Sequence, residues 1–251
     1  MCVFNIKKEN KMKNHIVEIT KGKTGTGLLI ENDGYISLDM PGNKKLYESI
    51  RLNETTGHRN LPERLIFDTV FQKFDTPNAN GRIYPEAILK REIDKYQQAI
   101  KERRAYGEAN HPETSTIDIS RIAMNVIELH WEGKTLVGKL EIPITDGYRN
   151  LGIVSTCADQ VAHWILSGLK IGVSSRGLGS VTQRNGVMYV ENDFEILCFD
   201  IVTQPSTPNA WICTEEGEIN LYKESLDFSK EKTIFNESND KYSKFEKWLN
   251  D

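Results

Sequence analysis

The spacing of apolar residues changes at Ile122. From there to residue 202, short apolar runs follow a two-residue period and are separated by turn residues, a pattern typical of antiparallel β-strands. Asn185 followed by Gly186 predicts a two-residue hairpin turn. The strands predicted in this region cover residues 126–131, 135–144, 170–175, 181–184, 187–190 and 194–202.

Helices are predicted between these strands and before them. After the turn NANGRIYP at 78–85, apolar residues with helical spacing predict a helix that Pro85 can start. The residues in that spacing are Leu89, Ile93, Tyr96 and Ile100. A second helix is predicted at 155–169, with Ser155 as its candidate cap.

The part of the chain before these helices adds further strands. Residues 65–74 predict one strand, and residues 15–38 contain short β-like runs. The glycine-rich segment 22–27 lacks the GxxxxGK[ST] order of a phosphate loop, so it is interpreted as a hairpin turn. The sequence therefore predicts an α+β fold in which a closed or nearly closed, mainly antiparallel β-structure is flanked by helices.

Composition divides the chain into three parts. Residues 1–14 are predicted to be a flexible tail, residues 15–213 the folded domain, and residues 214–251 a charged extension. Within the extension, apolar residues at helical spacing predict a short amphipathic helix, which either packs on its own domain or docks a partner. Those residues are Tyr242, Phe245, Trp248 and Leu249.

Charge and cysteine usage exclude several classes of function. The formal net charge is −4, which does not favour direct nucleic-acid binding, and no apolar run is long enough to span a membrane. Cys2, Cys157, Cys198 and Cys213 show no CxxC spacing, which favours free thiols in a reducing, cytoplasmic compartment. No metal-ligand motif appears, so neither a metal nor a cofactor is expected.

One histidine stands out from the others. His111 lies in GEANHPE at 107–113, directly after the first predicted helix, and Pro112 restricts its backbone to extended conformations. A rigid loop that presents an imidazole suits a general base. The alternative is an ordinary surface histidine on a loop.

The segment KIGVSSRGLGS at 170–180 is the second unusual feature. Ser174 and Ser175 end an apolar run and are followed by Arg176 and Gly177. They either form a plain turn between two strands or present a hydroxyl nucleophile beside oxyanion donors. A serine hydroxyl would need a histidine partner to act as a nucleophile.

The third feature is a carboxylate in an apolar strand. Asp200 interrupts the run FEILCFDIV at 194–202, and a buried carboxylate is costly unless it is paired or hydrogen-bonded. It either caps the following loop or orients His111 as the third member of a triad. Glu108, three residues before His111, is the alternative for that role.

Four segments together resemble the prohead core protein proteases of myovirus-type tailed bacteriophages. They are NxNGRxYP at 78–85, GExxHP at 107–112, GVSSRGLGS at 172–180 and FDIVxxPSxPxAW at 199–211. The resemblance implies a serine protease with a β-barrel wrapped by helices, distantly related to herpesvirus assemblin.

The resemblance also implies roles for individual residues. His111 corresponds to the catalytic histidine, Ser174 to the nucleophile and Ser175 to its neighbour. Arg176 and Gly177 correspond to the oxyanion-hole contributors. Asp200 is placed as the third triad member, where assemblin has a second histidine.

The function implied is procapsid maturation in the host cytoplasm. Inside the assembling procapsid, the enzyme would cleave scaffold or core proteins, the major capsid protein and itself, and assemblin-like enzymes suggest a homo-oligomer. The main alternative is an inactive core or scaffold component with the same fold. A different acyl hydrolase is less favoured, because no GxSxG elbow occurs.

Overall fold

The computed structural model describes residues 17–36, 38–54, 61–112, 114–169 and 171–203. These residues form a mixed α+β fold. The predicted tail at 1–14, the extension at 214–251 and its amphipathic helix lie outside the described residues. The strands are β1 Gly25–Ile36, β2 Leu65–Lys73, β3 Arg82–Ile83, β4 Tyr106–Glu108, β5 Ile122–Glu132, β6 Thr135–Ile142, β7 Gly172–Arg184, β8 Val187–Val190 and β9 Glu195–Val202, and the helices are α1 Pro41–Glu54, α2 Glu86–Lys101, α3 Asp146–Leu151 and α4 Cys157–Leu166.

The nine strands form one mostly antiparallel sheet that is not closed. Its order is β3-β8-β7-β1-β2-β6-β5-β4, and β9 also pairs with β7. A single isolated bridge between Ala109 and Ile201 connects the end of β4 to β9. Because one bridge is not a ladder of hydrogen bonds, the predicted closed barrel is not confirmed, and neither is the likeness to herpesvirus assemblin.

Strand β7 is longer than the sequence indicates. The prediction of separate strands at 170–175 and 181–184 is wrong, because β7 runs without a break from Gly172 to Arg184. Gly177 and Gly179 do not form a turn. A Cβ atom on Gly177 would overlap the Phe194 ring, and one on Gly179 would lie 2.9 Å from Phe194 Cα. These glycines allow β9 and its preceding residues to approach β7 closely.

Most other elements agree with the sequence analysis. The strand at 65–74, the helix after Pro85 and the two hairpins β5-β6 and β7-β8 are confirmed. Near the amino terminus, a turn forms at Lys21 and Gly22, but Glu18 and Leu28 pair in parallel. The predicted hairpin at this point is therefore wrong.

Helix α1 was not predicted, because its sequence is largely polar. It is attached to β2 by a pair of hydrogen bonds through one asparagine side chain, and it has no wide apolar face. The Asn43 side chain donates to the Asp68 carbonyl oxygen at 2.7 Å, and the Asp68 amide donates back to Asn43 Oδ1 at 2.6 Å. Ile50 is the buried apolar contact of this helix among its described side chains.

Helix α4, Cys157–Leu166, lies within the predicted range 155–169, and its cap is Thr156 and not Ser155. The Thr156 hydroxyl accepts from the Asp159 amide, while the Asp159 carboxylate accepts from the Thr156 amide, forming a capping box. Asp159 is fully buried and also accepts from the amides of Thr145 and Ser155 at 2.8 and 3.0 Å. This carboxylate therefore attaches the segment before α4 to the helix.

The NANGRIYP motif forms a buried ionic cluster around Glu31 of β1. Arg82 Nη1 lies 2.6 Å from Glu31 Oε1, and both side chains are almost completely buried. Tyr84 donates to the same oxygen at 2.9 Å, and Asn78 and Asn80 donate to Glu31 Oε2 at 2.6 and 2.8 Å. The motif thus joins the turn before α2 to the middle of the sheet.

No helix in the described part of the chain is both long and apolar enough to cross a membrane.

We predict that Arg82→Met lowers the free energy of unfolding by about 3–5 kcal/mol, because it leaves the buried Glu31 carboxylate without its cation. Urea unfolding followed by circular dichroism measures this. The control is Arg104→Met, which removes an ion pair with Glu102 whose two side chains are 58% and 42% exposed; its expected effect is within about 0.5 kcal/mol. Equal effects would contradict the prediction.

Asp159 predicts a pH dependence of stability. Although burial opposes its charge, the hydrogen bonds from Thr145 and Ser155 hold the pKa of Asp159 below its usual value. Its contribution is therefore present above about pH 4 and lost as the pH falls through the lowered pKa. Asp159→Asn should cost about 1–3 kcal/mol at neutral pH and progressively less in acid.

Urea midpoints measured across the acidic range test this expectation. The control is Asp146→Asn, since the Asp146 side chain is 82% exposed and should change stability little. A loss for Asp159→Asn that stays constant down to strongly acidic pH would contradict the assigned role.

Candidate active site

The pairing of β7 with β9 brings two of the candidate residues together. Ser174 lies directly opposite Asp200 in the antiparallel register, so their side chains project from the same face of the sheet. Both are fully buried. Residues 26 positions apart in sequence therefore become neighbours through strand pairing.

His111 reaches the same place through the end of β4. Gly107 has no room for a Cβ atom, which would overlap the Phe199 carbonyl oxygen, so β4 can approach β9 closely. The Asn110 amide then donates to the Ile201 carbonyl oxygen at 2.8 Å. Asn110 has a φ of 70°, a left-handed conformation that asparagine tolerates well, and it turns the chain so that His111 faces β9.

The three side chains form a continuous chain of hydrogen bonds. His111 Nδ1 lies 2.8 Å from Asp200 Oδ2, and His111 Nε2 is hydrogen-bonded to Ser174 Oγ. An ionised carboxylate only accepts hydrogen bonds, so Nδ1 carries the proton and Nε2 is free to accept from the serine hydroxyl. The imidazole is the member of this trio with exposed surface, its side chain being 11% exposed.

A buried arginine and a second carboxylate lie behind Asp200. Arg176 Nε is 2.9 Å from Asp200 Oδ2, and its Nη2 forms an ion pair with Glu108. Nη1 donates to the Thr114 carbonyl oxygen at 2.8 Å. Glu108 also uses its backbone, since its amide donates to Asp200 Oδ1 at 2.9 Å. The side chains of Arg176, Glu108 and Asp200 are all fully buried.

The positions of Arg176 and Gly177 differ from the expectation for oxyanion donors. They lie within strand β7 and not in a glycine-rich turn, with β1 and β9 paired on its two edges at these residues. The Arg176 guanidinium faces Glu108, Asp200 and the Thr114 carbonyl. Because these groups engage the guanidinium, the structure does not support a direct contact of Arg176 with an oxyanion.

The two alternative residues are also placed by the register. Ser175 lies opposite Glu31 of β1 and Phe199 of β9. Since side chains alternate along a strand, Ser175 projects from the face opposite to Ser174. Glu108 directs its side chain to Arg176, whereas His111 Nδ1 lies on Asp200.

Two further neighbours of the site, Cys198 and Tyr96, were not among the residues predicted from the sequence. The Cys198 sulfur lies 3.1 Å from Arg176 Nη2 and 3.4 Å from Asp200 Oδ1. Burial, reinforced by the Asp200 charge, raises the pKa of the Cys198 thiol well above its usual value. Burial also raises the pKa of the Tyr96 hydroxyl, with Cys198 and Asp200 adding to the effect.

The spacing of Cys198 and Asp200, two residues apart in one strand, was the available signal for Cys198, because it places both on one face. Nothing comparable marks Tyr96, whose spacing fits an ordinary apolar helix face. Tyr96 packs edge-on against Phe199, with ring centroids 5.6 Å apart. This contact holds α2 against the strand that carries Asp200.

Within the described ranges, no group of three or more histidine, cysteine or acidic side chains is arranged to hold a metal ion.

Comparisons with known proteins agree on one family. The family model described as prohead core protein serine protease matches residues 28–220. The prohead core protein protease of Enterobacteria phage T4 is 32% identical over 159 residues, which cover 62% of this chain and 71% of that relative. The solved structure of the bacteriophage T4 capsid assembly protease matches with a TM-score of 0.55 and 26% identity, and covers 72% of this chain and 99% of that one.

We predict that the Cys198 thiol is inert in the folded protein, because only the thiolate reacts and burial disfavours it. With iodoacetamide, Cys157, which is only partly buried, should be alkylated at least about tenfold faster. Peptide mass spectrometry reads each site separately. In urea both thiols should react at similar rates, and a fast reaction of Cys198 in the folded state would contradict the burial argument.

Proposed function

The chain belongs to the prohead core protein serine protease family, and we propose that Ser174, His111 and Asp200 form its catalytic triad. As a member, the chain is a protease and hence a hydrolase. The observation that carries the proposal is the hydrogen-bonded series from Asp200 through both imidazole nitrogens to Ser174 Oγ. This is the arrangement that a serine nucleophile and its general base require.

The proposed reaction proceeds through an acyl-enzyme. His111 Nε2 takes the hydroxyl proton as Ser174 Oγ forms a bond to the carbonyl carbon of the substrate peptide. The bond between that carbon and the leaving nitrogen then breaks, and the imidazolium returns its proton to the departing amine. Water, activated by the same imidazole, attacks the ester carbonyl and releases Ser174.

Asp200 has two tasks in this reaction. Its contact with His111 Nδ1 selects the tautomer that leaves Nε2 as the base, and its charge stabilises the imidazolium that forms. We do not assign the oxyanion role to Arg176 or Gly177. The guanidinium faces carboxylates and a carbonyl, and Gly177 lies inside a strand paired on both edges.

The proposed substrates are the core and capsid proteins of the phage that encodes this chain. Support comes from the similar T4 proteins, one described as a prohead core protein protease and the other as a capsid assembly protease. The enzyme would act inside the procapsid, in the host cytoplasm, and would also cleave itself.

A fluorophosphonate probe tests the triad. It should label the native chain and fail to label Ser174→Ala, because the probe bonds to an activated serine oxygen and expels fluoride. The matched control is Ser175→Ala, which removes the adjacent hydroxyl on the other face of β7 and should keep the label. Labelling that survives in Ser174→Ala and is lost in Ser175→Ala would show that Ser175, and not Ser174, is the nucleophile.

Cleavage of protein substrates tests the biological role. Coexpression with the core and capsid proteins of the same phage should yield shortened products with the native chain and none with Ser174→Ala or His111→Ala. Gel shifts and terminal peptide mapping measure this. A native chain that labels with the probe but cleaves none of these proteins would contradict the substrate proposal, and one that does neither would favour an inactive core component.

A further inference from the structure

We propose that the Glu108–Arg176 ion pair has a positioning role in the catalytic reaction. It fixes the orientation of Asp200, and it sets the net charge beside His111 that stabilises the imidazolium. The inference rests on the triad proposed above. It changes the role of two residues, since neither the third triad position nor an oxyanion contact describes what Glu108 and Arg176 do in the structure.

Both oxygens of the Asp200 carboxylate are held by donors from two segments of the chain, residues 108–111 and β7. Oδ1 accepts from the Glu108 amide at 2.9 Å and lies 3.3 Å from Arg176 Nη2, while Oδ2 lies 2.9 Å from Arg176 Nε and 2.8 Å from His111 Nδ1. A carboxylate held at both oxygens cannot rotate away from the imidazole, so its orientation is set before substrate arrives.

Glu108 reaches Asp200 by two routes. Its backbone amide donates directly to the carboxylate, and its side chain forms the ion pair with the arginine that flanks the same carboxylate. The Asp118 amide, in the loop that follows His111, donates to Glu108 Oε1 at 3.0 Å and so fixes the Glu108 side chain. The conformation of that loop is thereby coupled to the position of Asp200.

Glu108 also sets the net charge of the cluster. With Arg176 alone, the Asp200 charge would be balanced, and a proton on His111 would add an uncompensated positive charge to a buried site. Glu108 supplies one more negative charge, so the cluster is negative at rest and becomes neutral when the imidazolium forms. Because Asp200, Arg176 and Glu108 are fully buried, solvent screens this effect weakly, and the imidazolium form of His111 is stabilised when it takes the serine proton.

The other titratable groups around the imidazole are two neutral groups and one further ion pair. Burial raises the pKa of both the Cys198 thiol and the Tyr96 hydroxyl, so both stay neutral. Arg121 Nε lies 3.9 Å from Glu108 Oε1 and offsets part of the Glu108 charge, but the Arg121 side chain is 40% exposed and its charge also acts on the Asp118 carboxylate. The groups facing the cluster, by element, are Asp200 and Cys198 of β9, Arg176 of β7, Glu108 of β4, Tyr96 of α2 and Arg121 of the short 3₁₀ turn Ile119–Arg121.

The test is the pH dependence of the fluorophosphonate labelling rate in the full chain, compared among three variants. Glu108→Gln makes the imidazolium less stable, so the acidic limb of the rate profile should move to lower pH by about one unit, and the plateau rate should fall about tenfold. Arg176→Gln removes a positive charge and should move the same limb to higher pH.

The double variant Glu108→Gln/Arg176→Gln separates charge from packing. It removes opposite charges together, so its acidic limb should return to within a few tenths of a pH unit of the native one. The double variant can also be tested if Arg176→Gln fails to fold. Arg176→Gln leaves two buried carboxylates without their cation, whereas the double variant leaves one, Asp200. The matched control Glu128→Gln, whose side chain is 46% exposed on β5, should leave the profile unchanged.

The outcomes distinguish this inference from the triad. If labelling requires Ser174 and His111 but the limb stays in place in Glu108→Gln and in the double variant, the triad stands and the charge role is wrong. A lower melting temperature with an unmoved limb would identify the ion pair as purely structural. If labelling does not depend on Ser174 at all, the triad itself is wrong.

Discussion

The site depends on one buried carboxylate. Asp200 is fully enclosed, and an enclosed charge persists only where donors replace the water it has lost. Those donors come from β4, from β7 and from the loop that carries His111. The same contacts that stabilise Asp200 therefore assemble the proposed catalytic groups, and none of these segments can shift without exposing or unpairing the charge.

An ionic cluster lies on each of the two faces of the sheet at β7. Ser174 and Arg176 project toward Asp200 and Glu108, whereas Ser175 lies opposite Glu31, whose charge is balanced by Arg82. The two clusters have different consequences. The Glu31 cluster joins the turn before α2 to the sheet and involves no reacting group, while the Asp200 cluster contains the imidazole and the proposed nucleophile. The register of Ser174 with Asp200 is set by the antiparallel pairing of β7 with β9.

Local pattern was sufficient where one element determines its own structure. The alternation at β5 and β6, the spacing of Leu89, Ile93 and Tyr96, and the Asn185–Gly186 turn all predicted the observed elements. Local pattern gave the wrong structure where a residue distant in sequence determines the conformation. The Phe194 ring makes Gly177 and Gly179 a point of close approach and not a turn, and the Asn43 clamp on Asp68 attaches a polar helix that has no wide apolar face.

The amino-acid sequence alone determined which residues are available for chemistry: a histidine restrained by proline, a serine at the end of an apolar run and an acid in an apolar strand. Local composition and backbone restriction single out these three residues, and their roles were inferred from the resemblance of four motifs to one family. Tertiary structure decided which groups meet. The β7–β9 register places Asp200 opposite Ser174 and turns Ser175 away, and the approach of β4 directs Glu108 to Arg176. Strand register and side-chain pairing across separate segments are set by packing over the whole sheet, so no local pattern contains them.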